Sequence, residues 1–266
     1  MLENIALRSS NDGKLPSGAT TLDTKAKESL INSDSNSLLS FLSNFDKTFL
    51  HQAAFQYFNQ GARVLLNLAV QDLLKRVYML EPGRLQTLLA TVHIPWSCKI
   101  IFGFISDNVP ICGSKRKSYL INCALLQILS MLTLSVFTYD SVSLAATCTF
   151  LTTLSIAFSD VIVDSLIVIQ ARKDPDNGSA YLSTYTWSCQ AAGGLTGAIS
   201  AAFLTQDNDP KVCFIIYAFL GLILLFASMQ LRPEIENFGL RSEINQNERN
   251  FCSELKKSFA KISQAL

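Results

Sequence analysis

Charge is scarce in this sequence. Of 266 residues only 16% are Asp, Glu, Lys or Arg, whereas soluble domains average about 25%. Net charge is +1 and no basic run is longer than Lys115-Arg116-Lys117, so a nucleic-acid partner is not expected. Histidine occurs twice, as His51 and His93, too seldom for a histidine metal site. The seven cysteines form neither a CxxC pair nor a disulfide framework. Most of them sit in apolar runs, where a free cysteine acts as a small hydrophobe. GxSxG, P-loop, HExxH and dinucleotide fingerprints are missing. No enzyme, cofactor or resident metal is therefore expected. Residues 1–20 lack the apolar stretch behind a basic start that marks a secretory signal.

Apolar matter is abundant instead, at 49%, and it is concentrated. Residues 1–50 are rich in Ser, Asn, Asp and Lys. They hold too little apolar surface to offset chain entropy, so a disordered cytoplasmic segment is expected there. Ser118 to Tyr139, Ser141 to Ser159, Asn177 to Gln206 and Val212 to Leu231 carry no charge. A helix crossing the hydrocarbon core needs about 20 apolar residues. With Leu85 to Ser106, interrupted only by Lys99, and the less apolar Phe55 to Leu74, the pattern predicts six spans. They fall at about 54–74, 85–106, 118–139, 142–169, 180–204 and 212–231. The expected fold is an all-α, multi-pass membrane protein with a six-helix bundle over 51–231 and a cytoplasmic linker over 232–266.

Lys115 to Lys117 and Arg172-Lys173 follow spans 2 and 4. The positive-inside tendency puts those loops and both termini in the cytoplasm. Lys75, Arg76 and Arg84 after span 1 argue the other way. In the tail, Phe251, Leu255, Phe259, Ile262 and Leu266 form an apolar helical stripe with Lys256, Lys257 and Lys261 on other faces. It suits either an anionic inner leaflet or packing on the protein.

Span 1 carries Gln52, Gln56, Asn59, Gln60, Arg63, Asn67 and Gln71 at steps that make one polar face. Such a face cannot meet lipid. It lines a water-filled path, or its amides bind helices together. Asp160 and Asp164 lie one turn apart in span 4, and ionisable residues within spans are usually functional. At 1.5 Å per residue, Arg63 and Asp160 lie about 14 Å, and Lys99 about 10 Å, from the inner ends of their spans. Two cations and two anions thus share a layer, as a structural cluster or as an ion- or substrate-coupled site. Trp96 and His93 neighbour Lys99 on span 2, and the bland reading of His93 is a packed, hydrogen-bonded residue. Gly193 and Gly197 form GxxxG with Gly194 alongside, a common close-packing signal. Asn177-Gly178-Ser179 is a sequon in a loop expected inside, so no glycan is expected.

After span 2 the chain reads Gly103-Phe-Ile-Ser-Asp107, Pro110, Gly113 and Lys115-Arg116-Lys117. This resembles the signature loop of the major facilitator superfamily, in which the glycine lets helices approach and the Asp accepts hydrogen bonds. Tyr57-Phe-Asn-Gln-Gly61, Leu68-Ala69, Pro95-Trp96 with Lys99, and that loop through Tyr119-Leu120 are similar to the folate–biopterin transporter family. So are Ala157-Phe-Ser-Asp160-Val-Ile-Val-Asp164-Ser165, Ala171-Arg172, and Gly178-Ser179 leading to Trp187. Gln170 stands where the family has an acidic residue, and lysines replace part of an Arg-rich cluster.

The resemblance implies twelve spans in two six-span halves, of which this chain supplies the N-terminal one and ends in the linker. The second half, or a homo-oligomer, is then an expected partner. It also implies symport of folate or a pterin by alternating access. Lys99 and Arg63 would meet folate's carboxylates. Asp160 or Asp164 would pair with the amino-pyrimidine edge of a pterin or carry a coupling proton. Trp96, Asn59 and Gln60 complete the expected substrate or coupling set. Gly103, Asp107, Gly113 and Arg116 form the expected conformational loop. Transport of another small solute, and a half-protein that pairs with or regulates a full-length relative, remain as alternatives.

Overall fold

The computed structural model describes residues 45–108, 116–175, 177–207 and 209–231, without the side chains of residues 107, 108, 206 and 207. The expected N-terminal segment up to residue 44 and the lysine-flanked stripe from Phe251 to Leu266 lie outside the described residues. All described regular structure is helical. In chain order the helices are α1 (Lys47–Asp72), α2 (Pro82–Val92), α3 (Ile94–Ser97), α4 (Lys99–Asn108), α5 (Lys117–Val136), α6 (Val142–Ala171), α7 (Gly178–Asp207) and α8 (Lys211–Gln230). Of these, α5, α6 and α8 are long and apolar enough to cross a membrane.

Local chemistry sets the boundaries. Asp46 accepts from Thr48 N at 2.9 Å, capping α1 about two turns earlier than the apolar pattern suggested. At its far end α1 loosens into a π turn over Leu73–Val77. Met79, at φ 47, then reverses the chain ahead of Pro82 in the first turn of α2. The segment expected as one continuous second span is broken into α2, α3 and α4 at His93 and Cys98. Pro95 lacks the N–H that would bond back to Thr91. Ser141 caps α6 by accepting from Leu144 N at 3.2 Å.

Cross-contacts fix the helix directions. Gln52 meets Ser228 and Asn59 meets Tyr217, so α1 and α8 are antiparallel. Asn59 meets Gln127 and Tyr78 meets Thr138, so α1 and α5 are parallel. Tyr119 stacks on Phe158 and Ser155 donates to Cys123 O, which makes α5 and α6 antiparallel. Tyr185 donates to Leu50 O and Arg76 to Thr205 O, which makes α1 and α7 parallel. The chain therefore rises and falls from helix to helix.

The interface between α1 and α7 is the most extensive. A Cβ on Gly193 would lie 2.9 Å from the Phe58 carbonyl carbon, and one on Gly197 would lie 3.0 Å from Ala62 Cα. A Cβ on Gly61 would lie 2.6 Å from Gly194 N. Gly194 itself has only the Gly61 oxygen nearby, at 4.0 Å. Close approach thus rests on Gly61, Gly193 and Gly197.

The buried apolar core lies toward the C-terminal end of α1. Leu65, Leu66, Val70, Leu73 and Leu74 pack there with Met131, Leu134, Ile156, Phe214 and Tyr217. Polar side chains gather in the middle and toward the other end.

Candidate functional site

The buried polar side chains of α1 sort into two groups. Gln52, Gln56 and Asn59 are each 1% exposed and each is paired across a helix interface. Ser228 Oγ donates to Gln52 Oε1 at 3.3 Å, and Gln56 Nε2 donates to Ser159 Oγ at 2.7 Å. Asn59 and Gln127 exchange two amide hydrogen bonds of 3.1 Å. Gln127 also reaches Tyr217 O at 3.3 Å, and Tyr217 donates to Asn59 O at 3.2 Å. This part of the polar face joins helices rather than lining water. Asn67 is half-buried and Gln71 is exposed.

The second group surrounds Trp96 on α3. Lys99, at the start of α4, donates Nζ to Asp160 Oδ2 on α6 and forms a salt bridge with it. The same ammonium lies 4.4 Å from the Trp96 ring centroid, and the Arg63 guanidinium carbon lies 4.5 Å from it. Each cation over an indole gains about 0.5–2 kcal/mol, more where water is excluded. Gln60, three residues before Arg63 on α1, lies beside the Asp160 carboxylate. One turn along α6, Asp164 accepts from Tyr57 OH at 2.5 Å. The expected residues Arg63, Lys99, Asp160, Trp96 and Gln60 are thus brought together. Asp164 sits beside them on its own phenol partner. Asn59 belongs instead to the amide joint with Gln127.

Three buried polar atoms in this group have no hydrogen-bond partner: Gln60 Oε1, Arg63 Nη1 and Trp96 Nε1. Native proteins leave few such atoms. Two more, Thr152 Oγ1 and Gln170 Oε1, are also unpartnered.

Of the expected conformational loop, Gly113 and the Asp107 side chain lie outside the described residues. Arg116 opens α5 and is buried. A Cβ on Gly103 would meet Val161 Cγ1 at 3.5 Å, an ordinary contact, so this glycine is not required for close approach here. His93 Nδ1 lies 2.8 Å from Leu89 O, a local bond at the break between α2 and α3. Among the described residues no group of three or more His, Cys, Asp or Glu could hold a metal ion.

Tyr57 and Gln127 were not singled out as site residues from the sequence. Gln127 had a visible signal, being one of two amides, with Asn122, in the charge-free run from Ser118 to Tyr139. Tyr57 had none beyond its place in a family-like stretch, because its partner lies 107 positions away.

Comparison with known proteins places these residues in a wider setting. The profile of the BT1 family matches residues 60–266. "Probable folate-biopterin transporter 4" of Arabidopsis thaliana is 29% identical over 209 residues, covering 77% of this chain and 43% of that protein. "Folate-biopterin transporter" of Synechocystis sp. is 33% identical over 172 residues, covering 65% of this chain and 35% of that protein. "Folate transporter 1" of Plasmodium falciparum is 30% identical over 202 residues, covering 76% and 40%. The chain thus spans about two-fifths of the length of the curated relatives it matches. No solved structure matches.

Proposed function

The chain belongs to the BT1 family, and from that premise we propose that it carries folate, a pterin or a related solute across a membrane as a secondary active transporter. The relatives' names supply the substrate class. The observation that carries the reading is the convergence of Arg63 and Lys99 on Trp96, with Lys99 paired to Asp160, between α1, α4 and α6. Charges inside membrane-spanning bundles are costly and mark pathways for ions and polar solutes.

In this proposal α1, the broken α2–α4 unit, α5, α6, α7 and α8 are six crossings, resembling one half of a major facilitator superfamily transporter. The loop before α5 and the one after α6 face the cytoplasm. A second six-helix body completes the pathway, and the solute is exposed alternately to the two sides. The exposed face of α7 supports such a neighbour. It carries Trp187, Leu195, Ile199 and Phe203 among small polar residues, on a helix less apolar than α5, α6 or α8. Asp160 or Asp164 carries the coupling proton.

Uptake of labelled folate, biopterin and an unrelated solute tests the proposal, in cells expressing the polypeptide that the full-length transcript encodes. Folate or biopterin accumulates above the vector control. Accumulation of neither overturns the assignment, and accumulation of the unrelated solute alone moves it to another cargo.

A further inference from the structure

Resting on the membrane orientation proposed above, and not on the identity of the cargo, we infer that a groove between α1 and α8 holds one anionic glycerophospholipid of the cytoplasmic leaflet. An acyl chain lies along the groove and the phosphate sits at its mouth. The groove has a volume of about 440 Å³. Phe55 of α1 and Leu222, Ile223, Phe226 and Ala227 of α8 line it, together with His51 and Gln230. Phe55, Leu222 and Phe226 are exposed, so it opens outward to lipid rather than into the bundle. The buried contact of Gln52 with Ser228 ties the two helices at the level of His51.

Polarity is graded along the groove. The two helices are antiparallel, so Phe55 and Leu222 mark its apolar end, and His51 and Gln230 its polar end. Lys47 stands one turn before His51 on the same face of α1. Lys47 to Phe55 and Leu222 to Gln230 each span about 12 Å at 1.5 Å per residue. One leaflet of hydrocarbon is about 15 Å deep, half of the whole core. The groove therefore matches a single leaflet, with acyl chains at one end and headgroups at the other. Since α1 runs parallel to α5, its mouth lies on the side of the loop before α5, which the proposed orientation puts in the cytoplasm.

The mouth is built of donors. The side chains of Lys47, His51 and Gln230 engage nothing else among the described residues. An ammonium, an imidazole N–H and an amide NH2 all suit a phosphate, whose oxygens accept. Two features that would oppose an anion are already occupied. Asp46 turns its carboxylate to Thr48 N and Oγ at 2.9 and 2.8 Å. The last carbonyls of α8, the negative end of its dipole, are covered by Lys117, whose Nζ donates to Met229 O at 2.7 Å and Leu231 O at 2.9 Å. A choline headgroup would set a second cation beside Lys47, so a net-anionic headgroup is favoured over a zwitterionic one. The cytoplasmic leaflet is the one that supplies anionic lipid. The chain's own tail is a poorer occupant, because Lys256, Lys257 and Lys261 beside its apolar stripe bring like charge to Lys47.

The test uses the full chain in nanodiscs of equal parts phosphatidylglycerol and phosphatidylcholine with identical acyl chains. Native mass spectrometry counts the lipid that stays bound on release. Wild type is expected to keep one phosphatidylglycerol in preference to phosphatidylcholine by about fivefold or more, and Lys47→Gln to bring the two to near parity. In a second arm Phe226→p-benzoylphenylalanine is irradiated in the same nanodiscs and its adduct is sequenced. A phosphatidylglycerol adduct is expected, and Lys47→Gln in that background reduces it. Parity of the two lipids in wild type overturns the site whatever the variants do, and so does a preference that survives Lys47→Gln. An adduct to residues 232–266 gives the groove to the tail and overturns it too. Neither arm contains folate or biopterin, so a lost lipid preference leaves the transport reading standing, and failed uptake leaves the lipid site standing.

Discussion

The Lys99 ammonium and the Asp160 carboxylate pair across α4 and α6 with unequal access to water. The lysine side chain is 34% exposed and the aspartate 3%. That asymmetry fixes which partner is harder to lose. Lys99→Gln strands a buried anion and is expected to destabilise by about 3–5 kcal/mol. Asp160→Asn leaves a cation that can turn toward water and costs about 1–2 kcal/mol less. The double variant regains most of the loss. Membrane abundance and thermal unfolding in detergent report the order, and equal losses for the two single variants would contradict it. Wild-type uptake by the folded double variant would confine this pair to structure.

The α1–α7 seam gives a second prediction. Gly193→Ala sets a Cβ 2.9 Å from the Phe58 carbonyl carbon, whereas Gly194→Ala meets only the Gly61 oxygen at 4.0 Å. Gly193→Ala is expected to cost about 1–3 kcal/mol, the usual range for overpacking. Gly194→Ala is expected to be neutral. Melting temperatures of the two variants check the difference, and a larger loss at position 194 would refute it.

The amide joint is open to a double-mutant cycle. Asn59 and Gln127 exchange both of their amide hydrogen bonds. Side-chain hydrogen bonds inside membrane proteins couple by about 0.6 kcal/mol on average and up to about 1.7. Asn59→Val, Gln127→Leu and the pair should show coupling near the upper figure, since Tyr217 locks both residues. Additive losses would mean that the two amides act independently.

At the loop between α5 and α6, Tyr139 OH donates to Asp209 Oδ1 at 2.6 Å. That bond, with desolvation and the Asp209 charge, pushes the phenol up from 10.0 to about 12. A raised pKa means the folded state holds the proton more tightly than the unfolded one. The contribution to stability is full below pH 10 and is lost as pH climbs toward 12. Asp209→Asn should bring the Tyr139 titration back toward its ordinary value. Ultraviolet difference spectra against Tyr139→Phe measure it, and an unmoved midpoint would rule out Asp209 as the cause.

Much of the architecture was legible because charge-free runs have few alternatives to membrane-length helices: α5, α6 and α8 fall where Ser118, Ser141 and Val212 begin such runs. The second predicted span was read as one helix despite Pro95. Whether a proline kinks a helix or breaks it depends on what fills the gap, and here His93 bonds locally to Leu89. The polar face of α1 was read as a unit because periodicity sees only one helix. Its division depends on neighbours. Ser228, Ser159 and Gln127 claim residues 52, 56 and 59, while residues 60 and 63 face Asp160 and Trp96. Helix depth brought Lys99, Arg63 and Asp160 to one layer. It could not say that Lys99 takes Asp160 while Asp164 takes Tyr57.

The uneven distribution of dry carbon along α1 has a mechanical meaning. From Leu65 to Leu74 the helix is wedged among Met131, Leu134, Ile156, Phe214 and Tyr217. Just beyond, Tyr78 is pinned to Thr138 and Arg76 to Thr205. Between Gln52 and Asn59 the same helix is held through side-chain hydrogen bonds to Ser228, Ser159 and Gln127. A lever of this kind has its fulcrum at the greased end and its travel at the other. Backbone deuterium uptake should therefore be slowest over residues 65–74 and faster over 50–60, and the reverse order would place the pivot elsewhere.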